Sequence, residues 1–140
     1  MNLTEYFEVM RPRDDVVELL CRDETLLELL PQGDTMIVES DGDRRTTETR
    51  YRALGREGVA TFRFTFQMDG SVRFEKVCDG NVWRKLEGLV SVSEIDDESC
   101  EVRIELSGKT KALVPEFTIK APMEAQIQEM TAGLEERLGR

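Results

Sequence analysis

Apolar and polar residues alternate with a period of two through most of this chain, and the period lengthens to that of a helix near the amino terminus and at the carboxy terminus. Residues 3 to 10, LTEYFEVM, place Leu3, Phe7 and Val9 on one side and Thr4, Tyr6 and Glu8 on the other, which predicts a first strand. Pro12 breaks it. DDVVELLCR then opens on acidic residues and carries Val16, Val17, Leu19 and Leu20, as a short helix requires. ETLLELL reads as a second short helix, stopped by Pro31 and Gly33.

From Asp34 the period returns to two. TMIVES, RTTETRYRAL and VATFRFTFQM follow one another across the turn segments DGD and GREG. SVRFEKVC, NVWRKLEGLVSVSEI and CEVRIELSG come next, joined by a DG turn and the acidic IDDES loop. With the first strand this makes about seven strands joined mostly as hairpins, an antiparallel meander. Finally Ile119, Met123, Ile127, Met130, Leu134 and Leu138 recur at intervals of four, four, three, four and four, one face of a helix. Pro122 is tolerated in a first turn, so this helix is expected from about residue 120 to 138.

Cross-strand pairing assigns faces, because directly opposed side chains share one. A three-residue loop of Asp79, Gly80 and Asn81 opposes Cys78 to Val82, Phe74 to Leu86 and Val72 to Gly88 on an apolar side. It opposes Glu75 to Lys85, Arg73 to Glu87 and Val77 to Trp83 on the other. A two-residue loop would mix the faces. The chosen register makes Lys76 and Arg84 neighbours on the apolar side, where like charges destabilise one another. Either their stems lie along the core with the charges in solvent, or they line a pocket mouth and take a carboxylate or phosphate. Phe62, Phe64 and Phe66, with Val90, Val92, Val102, Ile104 and Leu106, extend the apolar face, and mid-strand Gly88 is where the sheet is expected to bend. The stripe of Ile119, Met123, Ile127 and Met130 is the natural cover.

At 140 residues the chain is read as one domain, residues 1–140. No apolar run reaches the roughly 18 residues that span a bilayer, and MNLTEYFEVMRPR has no secretory pattern. A cytoplasmic location is the expectation. Nineteen basic against 29 acidic residues give a net charge of −10, which argues against nucleic acid as a partner, would repel anionic membrane surfaces over the molecule as a whole, and leaves room only for a local basic patch. The three cysteines, Cys21, Cys78 and Cys100, are odd in number and far apart, as reduced thiols would be.

With no histidine, Ser/His/Asp triads, Cys/His pairs and the common zinc motifs are all absent. No phosphate-binding glycine loop occurs, and no cofactor is expected. The carboxylates Glu5, Glu39 and Glu48 and the hydroxyls of Tyr6 and Tyr51 are what remains for catalysis.

The order strand, two short helices, six strands and a closing helix resembles the helix-grip or START-like fold, the SRPBCC or Bet v 1-like superfamily. YFEVMRPRDDVVELLCRDETLLELLP, the meander, the Gly80 to Gly88 hairpin and TIKAPMEAQIQEMTAGLEERL carry the likeness over essentially the whole chain. It is similar to the polyketide cyclase and lipid-transport group, and more loosely to a family of proteins associated with carbon monoxide dehydrogenase. The resemblance implies an apolar cavity between the long helix and the sheet, but carries no reaction over, since the histidines common in catalytic members have no counterpart here.

The expectation is therefore an α+β, helix-grip domain that binds a small hydrophobic or amphipathic ligand. Phe64, Phe74, Leu86, Ile104, Met123, Ile127 and Met130 line the cavity, and Lys76 and Arg84 take an anionic group. A cyclase- or hydrolase-type enzyme using a cavity carboxylate or tyrosine is the alternative, and a protein-interaction module presenting Trp83 and Leu89 is another. Binding is favoured over catalysis, and a homodimer stays open.

Overall fold

The computed structural model describes residues 1–29, 33–53, 56–80 and 82–139. Ten elements follow the expected order: β1 (Asn2–Val9), α1 (Arg13–Leu20), α2 (Asp23–Glu28), β2 (Asp34–Asp41), β3 (Arg44–Ala53), β4 (Arg56–Phe66), β5 (Val72–Lys76), β6 (Trp83–Asp96), β7 (Ser99–Thr110) and α3 (Phe117–Leu138). The strands form one curved antiparallel sheet in the order β1-β7-β6-β5-β4-β3-β2. The meander thus runs along the chain and β1 closes it on the far side of β7. The stop expected at Pro31, the strand end at Leu54, the turn residue Gly55 and the loop residue Asn81 lie outside the described residues.

One face of the sheet is buried. Phe7 and Val9 on β1 stand opposite Val102 and Cys100 on β7, and Val90 and Val92 on β6 continue the same layer. Thr4, Tyr6 and Glu8 point outward and are exposed, as the alternation requires. The helix α3 lays Met123, Ile127, Met130, Leu134 and Leu138 onto this inner face, and packs closest to β1. It starts at Phe117 rather than near 120, because Pro115 and Glu116 supply the carbonyls that Thr118, Ile119 and Lys120 bond to. Pro122 then lies inside the helix, where its missing N–H leaves one rung of the ladder unmade.

The short helices close one end of the sheet, α1 against β6 and α2 against β2. Polar contacts fix them there. Arg13 Nε donates to the Val92 carbonyl at 3.0 Å, and its Nη2 donates to the Asp69 carbonyl. Arg45 Nε on β3 meets Asp23 Oδ1 at 3.1 Å. Thr25, wholly buried, donates to the Leu19 carbonyl at 2.6 Å and accepts from Arg137 Nε at 2.9 Å, tying α2 to the last turn of α3. The two neighbouring bonds complete the demands of the hydroxyl in a buried setting.

Candidate functional site

The inner face at the β3–β4–β5 side is aromatic. Phe62, Phe64 and Phe74 are all buried and pack as a triad, with centroid separations of 6.4, 6.5 and 5.6 Å and tilted or edge-on planes. Strand alternation puts Phe62 and Phe64 on one face of β4, and pairing sets Phe64 directly opposite Phe74. Phe74 in turn faces Gly88 on β6, whose bare Cα admits the ring; a methyl built there would overlap it.

This pairing corrects the sequence-based register. The structure opposes Val72 to Val90, Arg73 to Leu89, Phe74 to Gly88 and Glu75 to Glu87, two residues displaced from the expected partners. The connection between the strands runs from Val77 to Val82 instead of three residues, so inner and outer faces keep their parity while every partner changes. Lys76 and Arg84 are consequently not neighbours. Lys76 faces Phe62 on the inner side and is half-buried, whereas Arg84 occupies an irregularity between Trp83 and Lys85 and is exposed. The same irregularity turns Trp83 inward to 9% exposure, against the expectation that it faces outward with Val77. Arg84 cannot share an anion with Lys76, and the outward aromatic patch invoked for an interaction module is missing its Trp83.

The other expected lining residues, Phe64, Phe74, Leu86, Ile104, Met123, Ile127 and Met130, are all buried on the inner side of the sheet or the facing stripe of α3. Ile104 and Ile127 are at 0% and 1% exposure, so their side chains are enclosed by neighbours. The catalytic candidates scatter. Tyr6 and Tyr51 are exposed, Glu39 is exposed, Glu48 is half-buried on the outer side of β3, and Glu5 is half-buried opposite Ile104. Among the described residues no group of Cys, Asp and Glu is arranged to hold a metal ion.

Polar residues that the sequence reading passed over lie beside the phenylalanines. Ile37, Thr47, Phe62 and Lys76 form one inner row across β2, β3, β4 and β5. The next row toward the start of α3 holds Thr35, Thr49 and Ala60, where the Thr35 and Thr49 hydroxyls bond each other at 2.8 Å. Thr47 is 1% exposed and its Oγ1 has no hydrogen-bond partner among the described residues. Lys76 Nζ lies 3.4 Å from the carbonyl of its own neighbour, Val77, its one hydrogen bond among the described residues. A hydroxyl and an ammonium with unused capacity thus flank Phe62. The signal was present in RTTETRYRAL, whose alternation sends Thr47 and Thr49 the same way as Phe62, but threonine counts as polar in a hydrophobic pattern.

Cys100, opposite Val9, has its thiol pushed up by burial, with Arg13 pulling weakly the other way. A cleft of about 240 Å³ lies on the opposite face of the sheet, where Thr4, Arg73, Leu89, Glu105 and Ser107 border it. Most of these side chains are exposed, so the cleft is a surface depression separate from the aromatic inner face.

No family model matches the sequence, and no curated protein matches it. Solved structures do match in shape. The ZhuI aromatase/cyclase from Streptomyces sp. R1128 superposes with a TM-score of 0.79 at 14% identity, over 99% of this chain and 92% of its own. A START superfamily protein from Mycobacterium smegmatis gives 0.76 at 16% identity, over 98% and 96%. A norcoclaurine synthase point mutant from Thalictrum flavum, in complex with a transition state analogue, gives 0.75 at 15% identity, over 99% and 93%. The chain therefore has the START-like, Bet v 1-like helix-grip fold that it resembles by sequence.

Proposed function

We propose that the protein binds a small hydrophobic or amphipathic molecule, lipid-like or aromatic, between α3 and the inner face of the sheet. Phe64, Phe74, Leu86, Ile104, Met123, Ile127 and Met130 form its apolar walls, while Thr47 and Lys76 hold its polar end. The observation that carries this reading is the Thr47 hydroxyl. A buried hydroxyl without a partner costs about 1–3 kcal/mol, and a ligand oxygen beside it removes that cost. Lys76 in the same row adds a positive charge suited to a carboxylate or phenolate.

The apolar side chains close over one another, so entry requires them to part. Met123 and Met130, unbranched and adaptable, are the ones that move at least cost. The likeness in fold to an aromatase/cyclase and to a synthase that holds a transition state analogue supports a ligand-holding use of this face.

Native mass spectrometry of the purified protein, followed by solvent extraction, tests the reading. An extractable lipid or aromatic adduct in the wild type, reduced in Thr47→Val, is expected. A bare mass that stays bare on titration with long-chain fatty acids and with aromatic phenols would count against it.

A further inference from the structure

Three Asp–Gly pairs occur in the chain, Asp41–Gly42, Asp69–Gly70 and Asp79–Gly80. In such a pair the glycine nitrogen, with no Cβ beside it, can attack the preceding side-chain carboxyl carbon. The N–Cγ bond forms, a Cγ–O bond breaks and water leaves. A second water then opens the five-membered ring at the aspartate main-chain carbonyl, breaking its bond to the glycine nitrogen, so the chain continues through the side chain with no net change in composition. The fold treats the three pairs differently. Gly70 N–H already donates to the Gln67 carbonyl at 3.0 Å, and the Asp69 carboxylate accepts from the Ser71 hydroxyl at 2.5 Å and the Ser71 N–H at 2.9 Å. The Ser71 hydroxyl, then its N–H, hold that carboxyl below the usual carboxylate range, so less of it is in the protonated form that loses water. Asp41 is fixed at the end of β2 opposite Arg44, before a two-residue turn whose Gly42 has φ +58°. Asp79 and Gly80 instead lie in the irregular connection between β5 and β6, and both are exposed. Neither the Asp79 carboxylate nor the Gly80 N–H has a partner among the described residues.

We infer that Asp79 is a site of spontaneous modification, converted to isoaspartate by attack of the Gly80 nitrogen, and that the turn around Asp69 protects the equivalent pair there. To reach the attacking geometry Asp69 and Gly70 give up three hydrogen bonds that Asp79 and Gly80 do not make, which slows Asp69 roughly hundredfold. Asp41, whose turn has to leave the ladder, falls between them. The product adds one carbon to the main chain between Cys78 and Gly80, and the Gly80 carbonyl is where Lys111 Nζ bonds. The change therefore acts where the β5–β6 connection is held to the exposed turn after β7 that carries Lys111 and Leu113.

Incubation of the full chain for weeks at neutral pH, followed by digestion and liquid chromatography with mass detection, tests this. The peptide holding Asp79 should split into two species of equal mass, the new one accepting a methyl group from an isoaspartyl-specific methyltransferase. The peptide holding Asp69 should stay single. In denaturant the two sites should convert at similar rates, because the protection comes from the fold. Gly80→Ala should slow the change at Asp79 roughly tenfold. A methyl at Gly80 meets nothing within 4 Å, so circular dichroism of that variant should match wild type. No isoaspartate at Asp79, conversion of Asp69 as fast as Asp79 in the folded protein, a difference that persists in denaturant, or an undiminished rate in Gly80→Ala would each overturn the inference.

Discussion

Thr47→Val should stabilise the ligand-free protein. The side chain is 1% exposed, its hydroxyl has no partner among the described residues, and valine keeps both the β-branch and the shape while removing the oxygen. Leaving a hydroxyl unsatisfied in an apolar setting costs about 1–3 kcal/mol, so the gain on removing it is about 1–2 kcal/mol once imperfect packing of the new methyl is allowed for. For a chain of this size that is a rise in Tm of roughly 3–8 °C. Urea unfolding of protein stripped of bound material, followed by tryptophan fluorescence from buried Trp83, measures it. The midpoint should rise with the slope unchanged. The gain should largely vanish in the complex, because an amphipathic ligand loses its hydrogen bond and binds about fivefold to tenfold more weakly, which is about 1–1.4 kcal/mol. A loss of stability in the stripped variant greater than about 0.5 kcal/mol would show that the hydroxyl already has a partner, and would remove the reason for placing a ligand there.

Three further substitutions probe how the site is held. Gly88→Ala places a methyl against the Phe74 ring and should cost about 2–3 kcal/mol, with Phe74→Leu recovering part of the loss in a double-mutant cycle of chemical unfolding. Thr25→Val leaves the Leu19 carbonyl and Arg137 Nε without their buried partner and should cost about 2 kcal/mol, while Thr25→Ser keeps most of the stability by calorimetry. Asp69 is held below its usual 3.8 chiefly by the Ser71 hydroxyl at 2.5 Å, then by the Ser71 N–H at 2.9 Å and by Arg13. The folded state therefore binds that proton less readily than the unfolded chain, and the resulting stability is present above pH 3.8 and lost as the pH falls through the lower folded value. Asp69→Asn should flatten that part of the acid-unfolding curve, and an unchanged curve would deny Asp69 its part in it.

The strands were legible because each alternates apolar and polar residues against a core on one side only, and α3 because its stripe holds the helical period for five intervals. Register was not. The number of residues in a turn fixes partners, and nothing in VCDGNVW marks the connection as six residues long rather than three. Trp83 was misplaced for a related reason, since the irregularity at Arg84 adds one residue to β6 and reverses the faces only beyond that point. Gly88 was rightly singled out within its strand, although its partner is the Phe74 ring and not Val72. The two cations that looked like one anion site were an artefact of that register. The buried Thr47 hydroxyl needed coordinates, because a hydrogen-bond deficit depends on what surrounds an atom and not on the residue that carries it.

The central claim is that the inner face of the sheet, and not the outer cleft, receives a ligand. Methyl NMR of the labelled protein tests it most directly, titrating 1-anilinonaphthalene-8-sulfonate as an amphipathic aromatic anion. Shifts at Ile104, Met123, Ile127 and Met130, saturating together and weakened by Thr47→Val, are the expected result. Shifts confined to Leu89 beside the outer cleft, or to Leu113 at the exposed turn, with the four buried methyls unmoved, would contradict it.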